Sequence, residues 1–146
     1  MAELGAPDDF DFWLGEWVVR DPANGAVGTN HISRILGGPV IEERFRLPGP
    51  GDTAFEGRSH SVHVPSRGWC QTWVDSEGNY LDFTGGRADG VMYLARSAVE
   101  LGPNIVQRMR WREVTRDSMV WDWERSDDGG ASFTLSWQLR YERATA

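Results

Sequence analysis

The stretch Phe10-Asp11-Phe12-Trp13-Leu14-Gly15-Glu16-Trp17 decides how this chain is read. Asp8 and Asp9 before it are candidate helix N-caps, and three aromatic residues then fall within four positions. Gly15 hands over to an extended run, Glu16-Trp17-Val18-Val19-Arg20. The pattern predicts a short helical segment over residues 8–14 whose rings plug one end of the protein, a bend at the glycine, and a first strand. A plug needs a barrel or bowl to close, and the remaining sequence supplies about ten short strands.

A turn at Asp21-Pro22-Ala23-Asn24-Gly25 precedes a second strand from about Gly28 to Leu36, which Gly37-Gly38-Pro39 ends. The third strand, Val40 to Leu47, alternates Ile41, Glu43, Phe45 and Leu47 against Glu42, Arg44 and Arg46. That period of two sends the first set inward and leaves Glu43 a carboxylate among apolar neighbours. In the fourth strand, Phe55 to Val64, the charged face of Glu56, Arg58 and His60 goes outward, so Phe55, Gly57, Ser59, Ser61 and His63 go inward. A loop over residues 64–68 sets His63 opposite Trp69, Ser61 opposite Gln71 and Ser59 opposite Trp73. The next hairpin, closed at Gly78, pairs Trp73 with Leu81 and Gln71 with Phe83. A seventh strand covers Val91 to Ser97.

The last three strands alternate most regularly. Ile105, Gln107, Met109 and Trp111 share one face, as do Met119, Trp121 and Trp123, and Phe133, Leu135, Trp137, Leu139 and Tyr141. Their opposite faces carry arginines against Asp122 and Glu124, a ladder suited to solvent. No periodic helical segment exceeds two turns, so the expected class is all-β: one antiparallel up-and-down barrel of about ten strands over residues 1–146.

Composition narrows the function. Net charge is −7, which disfavours nucleic acid and anionic membrane surfaces as partners. All 15 basic residues are arginine, so lysine Schiff-base chemistry is excluded. The single cysteine, Cys70, cannot form an internal disulfide or a thiolate metal cluster. Without a signal-like or membrane-spanning apolar run, the expected compartment is the cytoplasm. Composition leaves a homodimer open.

Gly15-Glu16-Trp17 after a helical turn resembles the Gly-x-Trp signature of lipocalin and calycin barrels. The resemblance implies that Trp17 seals the barrel floor under an arginine of the last strand, Arg140 or Arg143. The longer set Phe12-Trp13-Leu14-Gly15-Glu16-Trp17, Gly57-Arg58-Ser59 and Trp69-Cys70-Gln71-Thr72-Trp73-Val74-Asp75 is similar to an uncharacterised bacterial family of calycin-like barrels, related in fold to lipocalins and fatty-acid-binding proteins. The opening is also similar to haem-binding nitrobindin barrels, whose proximal ligand is a late histidine. No histidine follows His63 here, and no cofactor is expected. Residues 126–133 resemble the Asp-box turn of sialidases, which stabilises a hairpin and does not catalyse.

His60 and His63 project to opposite faces of a strand, so no metal site is expected. Ser59 and Ser61 lack a nucleophile elbow. The expected activity is binding of a small, largely apolar molecule. Its wall would be Trp69, Trp73, Trp111, Trp121, Trp123 and Trp137, and its polar contacts Glu43, Ser59, Ser61, His63, Gln71 and Gln107. Two alternatives stand beside it: a barrel enzyme of isomerase or cyclase type using Glu43 or His63 as acid or base, and a barrel filled by its own side chains that binds another protein. Glu43 could equally close a structural bridge to an arginine.

Overall fold

The computed structural model of the protein describes residues 4–144. Ten strands follow a short 3₁₀ turn at Asp11–Trp13: β1 (Gly15–Arg20), β2 (Val27–Ile35), β3 (Val40–Pro48), β4 (Ala54–Val64), β5 (Gly68–Asp75), β6 (Tyr80–Ala88), β7 (Val91–Ser97), β8 (Val106–Arg112), β9 (Ser118–Ser126) and β10 (Thr134–Arg143). Each pairs antiparallel with its sequence neighbours, and β1 pairs with β10, closing a barrel. The predicted registers are realised: His63 faces Trp69, Ser61 faces Gln71, Ser59 faces Trp73, Trp73 faces Leu81 and Gln71 faces Phe83. Among the described residues no helix is long and apolar enough to cross a membrane.

The helix expected over residues 8–14 does not form. Turns lead into the single 3₁₀ turn, whose N-cap, Phe10, makes no side-chain capping bond. Neither aspartate expected as a cap serves as one: the turn's N-cap is Phe10, and Asp9 instead accepts the Ala6 N–H at 3.0 Å, while Asp11, inside the turn, accepts a bond from Arg34 at 2.6 Å. Lacking a cap, the segment is too short to nucleate a helix. Its rings are nevertheless buried. Phe10 and Trp13 are 0% and 1% exposed, and Phe10 meets Trp69 and Trp111 edge-on at 5.0 and 5.1 Å.

Beside this end sits Trp17, 1% exposed, its indole N–H donating to the Trp13 carbonyl at 2.8 Å. Arg143 is the arginine that lies over it, with its guanidinium carbon 4.2 Å from the ring centroid and one N–H donated to the Leu14 carbonyl at 2.9 Å. Arg140 is exposed. Gly15 makes the corner feasible on two counts. Its φ of +124° disfavours a side chain, and a Cβ there would overlap the Arg143 guanidinium.

Two expectations for the last strands need correction. Phe133 lies outside β10, stacked under Arg108 at 3.7 Å, and Leu135 is 55% exposed. A bulge between Leu135 and Trp137 shifts the register by one residue, so the inward face starts at Trp137. The charged ladder is also drier than a solvated face. Asp122 and Glu124 are buried beneath Arg108, Arg110 and Arg112, with bonds of 2.6–2.9 Å. Burial alone would raise the Asp122 carboxyl, but hydrogen bonds from Arg112 and Gln138 outweigh it and hold the group below the usual carboxylate range. The 126–133 turn closes on itself, Asp128 taking the Ser126 hydroxyl and the Ser132 N–H. Bonds from Ser126 and Ser132 hold the Asp128 carboxyl at about 2.

Candidate functional site

Strand alternation puts large side chains inside, and the barrel is not filled by them. A cavity of about 540 Å³ occupies the half of the barrel away from the 3₁₀ turn. It opens between the Asp75–Tyr80 turn and the segment carrying Glu100 and Leu101. Trp73, Trp121, Trp123 and Trp137 form much of its wall, with Phe45 and Phe55. The rings brace one another: Trp121 and Trp137 meet edge-on at 5.3 Å, and Phe55 stacks on Trp73 at 6.3 Å. Two indole N–H groups are fixed by carboxylates, Trp73 to Asp75 and Trp137 to Asp21, each at 2.8 Å.

Gly57 creates the space for Trp73. A Cβ at position 57 would come within 2.0–2.2 Å of two carbons of the indole ring, so only glycine lets the ring pack this closely on β4.

Glu43 is a buried polar group of the lining, on the inner face of β3 and 7% exposed. Its Oε1 accepts the Ser59 hydroxyl at 2.8 Å and its Oε2 the Asn30 amide at 2.7 Å. The same Asn30 nitrogen donates to the Tyr141 hydroxyl at 2.8 Å. Among the described residues no arginine or histidine pairs with Glu43. The bridge to an arginine considered from the sequence is therefore not what holds this carboxyl. Burial pushes it above its ordinary value, and the bonds from Asn30 and Ser59 oppose that only in part. Burial, then the neighbouring Glu43, raise the Tyr141 phenol well above its own ordinary value.

A carboxyl whose folded-state value is raised adds stability below the unfolded value of about 4.5, and loses that contribution as pH rises through the folded value. Glu43→Gln keeps the shape and can keep both hydrogen bonds, since Ser59 can donate or accept. It is expected to be more stable than the natural protein at pH 8 and equal to it near pH 4, by about 1.4 kcal/mol for each unit of displacement. Urea unfolding at both pH values checks this; a variant less stable at pH 8 would contradict it.

Of the residues singled out in the sequence, Glu43, Trp73, Gln107, Trp111, Trp121, Trp123 and Trp137 line this one cavity. Five do not. Ser59 stands behind Glu43, and Ser61 accepts the Gln71 amide at 2.9 Å, both closed off from the cavity. Trp69 lies under Phe10 at the plugged end, bonded to the Ala6 carbonyl at 3.0 Å. His63 sits at that end too, 3.0 Å from the Leu4 carbonyl. Glu43 and His63 therefore do not share a chamber.

Asn30 and Tyr141, which the sequence pattern does not mark as site residues, complete the Glu43 cluster. Arg96 is also new: its guanidinium bonds Gln107 at 2.7 Å and Glu100 at 2.5 Å beside the opening. Among the described residues no group of three or more His, Cys, Asp or Glu is placed to hold a metal ion.

No protein-family model matches the chain, and no curated protein matches it in sequence. The function therefore rests on the site's geometry.

Proposed function

We propose that the barrel binds a small, mostly apolar molecule, with its body against the tryptophan wall and one polar group directed to Glu43. The observation that carries this is the open cavity of about 540 Å³, within the range of roughly 300–1,000 Å³ for small-molecule sites. A barrel filled by its own side chains would leave no such space. Many aromatic rings around a few polar groups is the composition such sites need, because burial supplies affinity and the polar groups supply orientation. The Gly15-x-Trp17 corner under Arg143 supports a calycin-like, lipocalin-type assignment for the barrel.

Titration of the natural protein with uncharged aromatic dyes, fatty acids and alkyl amines, read by quenching of tryptophan fluorescence, tests the proposal. Saturable quenching by at least one class is expected, and Trp73→Ala should weaken it tenfold or more by removing part of the wall. If nothing binds and Trp73→Ala changes only stability, the cavity is a packing defect and the reading fails.

A second reading, proton transfer by Glu43 on a bound substrate, draws on the same buried carboxyl without a counter-ion, a setting that tunes acids toward neutral pH. Turnover that follows the ionisation of Glu43 and disappears in Glu43→Gln would favour it over passive binding.

A further inference from the structure

We propose that the polar group of the ligand is cationic: the cavity is built for an organic amine, its protonated nitrogen against Glu43 and its body among the indoles. This rests on the reading that the cavity binds a small molecule, and adds the charge of that molecule.

The charges lining the cavity are unbalanced. Among the described residues of the lining, four acidic side chains, Glu43, Asp75, Glu77 and Glu100, stand against one cation, Arg96. Arg96 is already spent, because Glu100 and the Gln107 carbonyl oxygen occupy its guanidinium. An anionic ligand would find no unpaired cation in the lining and would meet Asp75 and Glu77 at the opening. Asp75 is held ionised there: burial would raise its carboxyl, but bonds from Trp73 and Asn79 more than offset this and lower it.

Glu43 supplies the second, separate argument. It is a buried carboxyl that holds two hydrogen bonds and, among the described residues, no counter-charge. The groups packed against it are Asn30 from β2, Ser59 from β4 and Tyr141 from β10, none of them cationic. The strand neighbours Arg44 and His60 point outward to Glu42. A buried carboxylate is stable only when paired, so a ligand cation would complete the cluster. The indoles that share the lining suit the same charge, since the face of an indole attracts ammonium groups with an energy that grows on desolvation. The overall charge of −7 further raises the local concentration of cations.

Three probes with one bicyclic body test this by isothermal titration calorimetry at neutral pH: naphthylmethylamine, naphthylmethanol and naphthylacetate. The amine is expected to bind at least tenfold tighter than the alcohol, and the acid not measurably. Glu43→Gln should remove the amine's tenfold advantage over the alcohol. The comparison within the natural protein needs no variant to fold. If the alcohol or the acid binds as tightly as the amine, the cationic assignment is overturned while the cavity's binding role stands. If none of the three binds and the fluorescence panel is also negative, the binding role itself fails. An amine preference that survives Glu43→Gln unchanged would also overturn the role given to Glu43.

Discussion

Trp17→Ala is expected to destabilise the protein by about 3–5 kcal/mol, as truncations of large buried aromatics do. Trp17 is 1% exposed, so the change opens a cavity that the closed barrel cannot collapse to fill. Three further contacts go with the ring. The Trp13 carbonyl loses its 2.8 Å partner, Tyr141 loses an edge contact at 5.9 Å, and Arg143 loses the surface it lies on. For a domain of this size the midpoint of thermal unfolding should fall by on the order of 10 °C. Urea denaturation gives the free energy directly. A loss below about 1 kcal/mol would mean that Trp17 does not seal the floor. Because Tyr141 touches the Glu43 cluster through Asn30, ligand affinity should weaken as well, and Trp17→Phe should recover most of both effects.

The second large effect is expected at Gly57. Gly57→Ala places a methyl group where Trp73 lies, and the indole must move. Overpacking of this kind costs about 1–3 kcal/mol. The ring leaves its bond to Asp75 and turns into the cavity, so the affinity of any cavity ligand should fall tenfold or more. The decisive measurement is a double-mutant cycle. Replacing Trp73 with leucine alone should destabilise, yet in the Gly57→Ala background it should cost far less, because the smaller side chain relieves the clash. Strictly additive effects would show that the methyl group and the ring do not compete for one space.

The alternation of inward and outward residues was legible wherever strands run regular and hairpins are short. A period of two sets the face, and a tight turn sets the register, so His63 against Trp69 and Trp73 against Leu81 followed from counting. Three things were not legible. Height along the barrel axis leaves no trace in a period of two. Ser61, Gln71 and Trp69 therefore read as equals of Trp73 and Glu43, although they lie outside the cavity lining, Trp69 at the plugged end. The bulge before Trp137 also leaves no compositional mark, and it turns Leu135 to solvent. Asn30 gives little signal because β2 alternates weakly: Gly28, Asn30 and Ile32 are its buried set, and only the last looks apolar. Its signal is a polar residue paired with Trp17 on one side and Phe45 on the other, which only the assembled sheet displays.

The pairing of β1 with β10 also bears on how the protein is made. Every other ladder joins strands adjacent in sequence and can zip as the chain leaves the ribosome. The seam of four residue pairs from Trp17–Arg143 to Arg20–Arg140 must wait until β10 has been synthesised. Until then two rows of unpaired backbone N–H and C=O groups stand open, the kind of edge through which nascent sheets join one another. The buried Trp17, held at that seam by Arg143, is thus one of the last cores to become dry.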